Sequence, residues 1–385
     1  MYRHPEQTGR AVVDVLDLFL ELAAIESPPG GERPVADAVA AYLARLGVAV
    51  EEDDAGARVG AGAGNLLCRL PGARGGDGGV RIFLCAHLDT VPPAGRVEPV
   101  VEDGVVRNAG GTILGADNKA AVAVMLEAAR RVLEERRPHA GVELLFTPKE
   151  EVGLRGAYAF DHTRLGARVG FVYDQAAPIG EVVVGAPTQR SLELRFAGRA
   201  AHAGMYPEEG RSAIAAAARA IADMRLGRLD EETSANVGVI AGGTARNIVP
   251  DRCVVEAEVR SHADAKVSQL VQEILDAATF GASLAECEVE ATVEQTYRAY
   301  RFAPGDPPVR LAAAALERCG FAPRYVLTGG GADANVFNER GLPCVNLANG
   351  MLDIHTPDER IAVADLEAMV DVTLALVDAA AAARG

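Results

Sequence analysis

The sequence predicts an α/β domain built on a largely parallel sheet, interrupted by a smaller inserted domain of ferredoxin-like α+β type. Three observations predict it. Over residues 1–187, apolar strand-like runs alternate with amphipathic helices, the pattern of strands joined by crossover helices. Over 188–299 the strands instead alternate apolar with polar residues, as a sheet with one wet face does. From 300 to 385 the helix-and-strand alternation resumes. The chain therefore reads as one domain, 1–187 with 300–385, split by a second at 188–299.

The elements follow in order. AVVDVLDLFLELAAI (11–25) has apolar residues at helical spacing, and SPPGGE breaks it. VADAVAAYLARLG (35–47) is a second amphipathic helix ending at a glycine. NLLCRL, RIFLCAH, VELLFT and RVGFVYD, rich in Val, Leu and Phe, read as buried strands, with the helix NKAAVAVMLEAARRVLEERR (118–137) between two of them. GARGGDGG (72–79) reads as a short loop. In the insert, SLELRFAG (191–198) precedes the Ala-rich helix SAIAAAARAIADMRLG (212–227). The strands NVGVIAGG (236–243) and CVVEAEVRS (253–261), the helix DAKVSQLVQEILDAAT and the strand ECEVEATVEQTY complete the split βαβ order. LEAMVDVTLALVDAAAAA closes the chain as a helix.

Composition narrows the function classes. With 49% hydrophobic and 24% charged residues among 385, this is an ordinary globular composition. A formal charge of −16 argues against nucleic acid or an anionic membrane as partner, since either demands a basic surface. The six cysteines are scattered singly without a CxxC, and several lie in apolar runs, as reduced, buried cysteines of a cytosolic protein do. MYRHPEQTGRAVVDVLDLF lacks a signal-peptide pattern, and no apolar run reaches the length of a span. The expected address is the cytoplasm.

Ligands of such α/β sheets gather at the carboxyl ends of the strands, and chemistry-bearing residues stand there. RIFLCAHLDTV ends in His87 and Asp89, which the two-residue repeat of a strand places side by side. LGADNKAAV puts Asp117 at the start of the long helix. VELLFTPKEEVG ends with Glu150 and Glu151, RVGFVYDQ with Asp174, and MLDIHTPDE places His355 before the last helix. Carboxylates brought together repel unless a cation sits among them. Two His and three carboxylates without Cys suit zinc, and less specifically manganese or cobalt.

The run HLDTV … GADNKAAVA … PKEEVG … YD … IHTPDE resembles the M20 family of dinuclear zinc peptidases, and within it the tripeptide aminopeptidase (peptidase T) group. The resemblance covers essentially the whole chain. It implies a mixed sheet sandwiched by helices, with the insert serving as lid and dimerisation domain. It also implies two Zn²⁺ per subunit, Mn²⁺ or Co²⁺ being substitutes, with His87 and Asp174 on one ion, Glu151 and His355 on the other, and Asp117 bridging. By the same resemblance Asp89 orients His87, Glu150 is the general base, and the Asp117–Asn118 peptide bond is cis. Relatives often carry Asp where Asn118 stands.

In the insert, GRAAHAGMYPEEGRSA resembles a lid motif whose His202 reaches across a dimer interface to stabilise the oxyanion. GGTARNIVPD and VEAEVRS resemble stretches in which Asn247 and Arg260 hold substrate, the Arg gripping a carboxylate. TGGGADANVF (328–337) resembles a glycine-rich loop whose backbone meets substrate. The expected activity is hydrolysis of short peptides from the N-terminus by a homodimer paired through the insert. A carboxypeptidase or N-acyl-amino-acid deacylase on the same scaffold is the alternative enzyme. A metal-depleted binding or dimerisation module is the non-enzyme alternative.

Overall fold

A computed structural model describes residues 14–73 and 78–383. Residues 11–13 of the first expected helix, 74–77 of the expected short loop, and the N-terminal stretch read for a leader lie outside the described residues. Contacts divide the chain into two compact units: Met1–Val183 with Ala303–Val326 and Ala332–Gly385, and Val184–Phe302 with Leu327–Gly331.

The first unit carries a mixed sheet flanked by helices. Its central strands run parallel in the order Val142–Thr147, Ile82–His87, Val169–Gln175, Cys344–Ala348. Leu66–Leu70 and then Val50–Glu52 add antiparallel on one side, and the strand Glu181–Ala186 adds antiparallel on the other. Every residue of Ile82–His87 and Val142–Thr147 is buried, which is why these segments read as unbroken apolar runs. Gly170 permits the close approach of two of these strands, since a Cβ there would stand 2.0 Å from the Phe83 ring.

The helix Ala116–Glu134 is buried around most of its circumference, and it packs on Val15–Ala23 and Val363–Ala382. Its sequence is accordingly apolar on nearly every face over 120–129. It ends three residues before the expected 137, where Arg136 turns left-handed at φ 52°. A small sheet that the sequence reading omitted joins Pro99–Glu102, Val105–Asn108 and Arg360–Ala362. The turn is Asp103–Gly104, with φ of 49° and 75°. Asp-Gly between Val-rich runs is a strong hairpin signal.

The second unit is antiparallel throughout, in the order Gly227–Arg228, Thr233–Gly242, Arg252–Ser261, Thr188–Ala197, Glu288–Tyr297. Helices Ala213–Asp223 and Asp264–Leu284 supply the crossovers, so the connectivity is the split βαβ order. Leu192, Leu194 and Phe196 alternate inward with Cys253, Val255, Ala257 and Val259, and pack on Ala213, Ala217, Leu270 and Ile274. The first helix stops at Asp223, four residues before the expected end, because Met224 is extended and Gly227–Arg228 forms a short strand.

All six cysteines are free, and Cys68, Cys85, Cys253 and Cys344 are buried. Among the described residues no helix is long and apolar enough to cross a membrane.

Candidate metal centre

The parallel strands deliver their C-terminal ends to one place. His87 is the last residue of its strand, Asp174 the last but one of its own, and Glu150 and Glu151 lie in the turn after Thr147. Asp117 opens the long helix, and His355 stands in the loop before Arg360–Ala362. Asp117 sits between two imidazoles: its Oδ1 is 3.2 Å from His87 Nε2 and its Oδ2 is 3.2 Å from His355 Nε2. His87 Nε2 is also 3.6 Å from Asp174 Oδ1, and His355 Nε2 is 3.1 Å from Glu151 Oε1. Glu150 joins His87 and Asp174 in a cluster whose donor atoms lie within 4.8 Å of one another. The Asp117–Asn118 peptide bond is cis.

The residues holding this cluster differ in part from the expectation. Asp89 was expected to orient His87 through its carboxylate. The structure assigns that contact to the Asp89 backbone carbonyl, 2.8 Å from His87 Nδ1, with the nearer carboxylate oxygen at 3.7 Å. The carboxylate instead accepts from the backbone N–H groups of Glu150 and Glu151, at 3.0 and 3.2 Å. The strand ends at His87, so the two-residue repeat no longer governs where Asp89 points.

Two further holding residues were not singled out. Asn346 Oδ1 accepts from Asp174 N–H and its Nδ2 donates to Asp174 C=O, both at 2.8 Å, fixing that residue from the neighbouring strand. Glu359 is buried, and its two oxygens accept from the N–H groups of Leu114, Gly115 and Asp117 at 2.8, 2.9 and 2.9 Å. It stands in the quoted IHTPDE run, but nothing local marks its target. Only the Glu-Asp-Gly-Val hairpin at 102–105, which pairs with the strand just after Glu359, pointed there.

A carboxylate holding three amides is expected to matter to the Asp117 ligand it anchors. Glu359→Gln, nearly isosteric, replaces one acceptor oxygen by a donor facing an N–H. Outer supports of this kind contribute about 10–100-fold in metal affinity. Zinc competition against a chromogenic chelator should read that loss while the circular dichroism stays native; unchanged affinity would show Glu359 to be dispensable.

Four carboxylates and two imidazoles crowd together here, and no lysine or arginine is hydrogen-bonded to them among the described residues. Burial pushes Glu150 well above the usual carboxylate range, and the nearby Asp174 adds to it. Burial, then the Asp117 charge, raises Asp174 to about 7. Asp89 is raised to about 7 by burial. Burial would raise Asp117 as well, but hydrogen bonds from His355 and His87 hold it well below its ordinary value. His355 is pushed up to about 10 by its bonds to Asp117 and Glu151. Burial pulls His87 down, but the bonds to Asp117 and Asp174 outweigh it. Protons on the imidazoles thus supply positive charge that a divalent cation would supply in their stead. Imidazole nitrogens and carboxylate oxygens without thiolate fit zinc, manganese or cobalt.

The remaining expected residues lie in the second unit. His202 is exposed, and its Nδ1 accepts from the N–H groups of Gly204 and Met205 at 3.2 Å each. Its segment bridges to Ile248, beside exposed Asn247, whose carbonyl accepts from Ala203. Arg260 is not an open fork. Its Nε and Nη2 both donate to Glu258 at 3.0 Å, and its Nη1 donates to the Gly329 carbonyl at 3.3 Å.

A model of the peptidase family M20/M25/M40 matches residues 83–379. The chain is similar to the aminopeptidase PepT from Bacillus cereus, whose crystal structure superposes with a TM-score of 0.84 at 40% identity, over 95% of this chain and 98% of that one. A tripeptidase from Staphylococcus aureus gives a TM-score of 0.89 at 37% identity over the same shares. A Bacillus subtilis protein called YqjE, itself uncharacterised, is 40% identical over 367 residues, 95% of this chain and 98% of that one.

Proposed function

The chain belongs to peptidase family M20/M25/M40, and from that premise we propose that it is a two-zinc aminopeptidase releasing the N-terminal residue of short peptides. The observation that carries the reading is Asp117 held between His87 and His355, one imidazole on each oxygen. A carboxylate disposed in that way suits a shared ligand of two cations. His87 and Asp174 would complete one set and Glu151 and His355 the other. When bound, the ions supply Lewis acidity toward a water and the scissile carbonyl.

The chain's own residues then do the proton work. Asp89 grips the backbone at both Glu150 and Glu151, so the two adjacent side chains keep separate tasks. Glu150, its proton affinity raised by burial, takes the proton of the attacking water and returns it to the departing amine. Similarity to an aminopeptidase and a tripeptidase over 95% of the chain favours removal of the N-terminal residue. A screen of free against N-acetylated tripeptides with added zinc tests it. Cleavage of the free peptides is expected. Cleavage of only the acetylated ones would favour the deacylase or carboxypeptidase chemistry, and cleavage of none the non-enzyme module.

The functional unit in this reading is a homodimer paired through the second unit. Along Thr233–Gly242 only Ser234 and Ala235 pair outward, with Gly227–Arg228. The rest of that edge carries exposed Val239 and Ile240, and such an edge suits antiparallel pairing with its own copy. His202, with Nδ1 used locally, keeps Nε2 for a partner's substrate. Mixing His202→Ala with Glu150→Gln chains should recover activity in the heterodimer; heterodimers that form without recovery would refute the trans role.

A further inference from the structure

Asp333 is a buried carboxylate with no part in the metal or proton chemistry proposed for the centre. It lies in the first unit, at the start of the short helix Asp333–Glu339. Its Oδ2 accepts from the Thr147 hydroxyl at 2.5 Å, a length usual for O–H on an ionised carboxylate. The Cys85 thiol donates to the same oxygen at 3.8 Å. Its Oδ1 is buried without a hydrogen-bond partner. Burial raises its proton affinity, which the Thr147 bond offsets in part. Burying an acid with one oxygen unpaired costs stability that an apolar side chain there would not.

The two donors locate its task. Phe83, Cys85 and His87 share one face of their strand. Asp333 and Phe337, four apart, share one face of the helix, and the Phe337 ring meets Phe83 edge-on with centroids 4.8 Å apart. Four helical residues rise roughly 6 Å and two strand residues roughly 6.6 Å. The helix therefore sets Asp333 against Cys85 while Phe337 covers Phe83, one step short of His87. Thr147 pairs with His87 in the parallel ladder, and its carbonyl accepts from Leu88 N–H at 2.8 Å. Pro148 follows, which has no N–H to donate, and Lys149 turns left-handed at φ 53°. The ladder thus ends at Thr147. Asp89 holds the far end of the turn by the Glu150 and Glu151 amides, and Asp333 holds the near end by the Thr147 hydroxyl.

We propose that Asp333 is a positioning residue: through Thr147 it fixes where the turn presents Glu150 and Glu151, and through Cys85 it keeps that turn in step with the strand ending in His87. The inference rests on the metallopeptidase reading for what those three residues do. The contacts themselves stand apart from it.

The test uses Thr147→Val, which keeps the side chain's shape and removes its hydroxyl, in the zinc-loaded full chain with trialanine as substrate. Turnover should fall about ten- to a hundredfold, the effect of a displacement of roughly 1 Å or less, with zinc retained and KM little changed. Thr147→Ser should restore most of it. Cobalt-loaded protein gives a reading apart from turnover. The visible absorption of the ion should change in Thr147→Val, because Glu151 shifts, and return in Thr147→Ser. Asp333→Asn, nearly isosteric but uncharged, should move both readings the same way by less, and it decides the matter if Thr147→Val does not fold. A lowered melting temperature with kcat per zinc-loaded chain and cobalt spectrum unchanged would reduce Asp333 to a support of the fold and overturn the assignment. A spectrum that responds in a protein cleaving no peptide would sustain the positioning and sink the peptidase reading; cleavage untouched by either substitution would do the reverse.

Discussion

Glu150→Gln is expected to lower kcat by about 10²–10⁴-fold while the protein keeps its metal and its peptide affinity. The amide preserves the shape of a buried residue whose backbone Asp89 holds, so the fold should not change. It cannot, however, carry a proton from water to the leaving nitrogen. Glu150 also stands near His87 and Asp174 in a cluster able to take an ion, which sets up a sharp alternative. If Glu150 were a ligand, the variant would lose metal together with activity. Metal content by mass spectrometry beside steady-state kinetics separates the two. A variant within threefold of wild type would mean that another group moves the proton.

Removal of metal should have an effect at least as large. Lewis-acid stabilisation of several kcal/mol corresponds to roughly 10³-fold or more in rate, so exhaustive chelation should abolish turnover. Zinc, manganese or cobalt should restore it. Uptake should also release protons, because the carboxylates around His87 and His355 raise the proton affinity of both imidazoles, and an imidazole must be neutral to ligate. Calorimetry in buffers of different ionisation enthalpy counts them. Full activity in protein shown to be metal-free would end the metallopeptidase reading.

The sequence displayed the parallel core because its strands are apolar on both faces, and it displayed the second unit because Leu192, Leu194 and Phe196 alternate with polar residues. It displayed His87 and Asp174 at the ends of strands, Asp117 at the start of a helix, and Glu151 and His355 in the turn and loop that follow apolar runs, where side-chain type alone is informative. Residues acting through the backbone were harder to see. Glu359 works by receiving N–H groups, and an amide proton leaves no mark on the residue that carries it. Asp89 was singled out for its carboxylate, but its backbone carbonyl stands nearer to His87, since its pointing direction depended on where the strand stopped. Arg260 carried a motif, but only coordinates reveal that Glu258, two residues earlier on the same face, already holds its fork.

The clasp of Glu359 on Leu114, Gly115 and Asp117 spans 242 to 245 residues of chain, and this sets the order of events during synthesis. At about 5–20 residues per second, roughly ten to fifty seconds separate the translation of Asp117 from that of Glu359. Through that interval His87, Asp117 and Glu151 can be out of the ribosome while His355 and the clasp are not. The nascent chain is therefore without the full set of residues proposed for the centre. On the metallopeptidase reading, the set of ligands and the clasp that supports it are complete only once His355 and Glu359 have been translated.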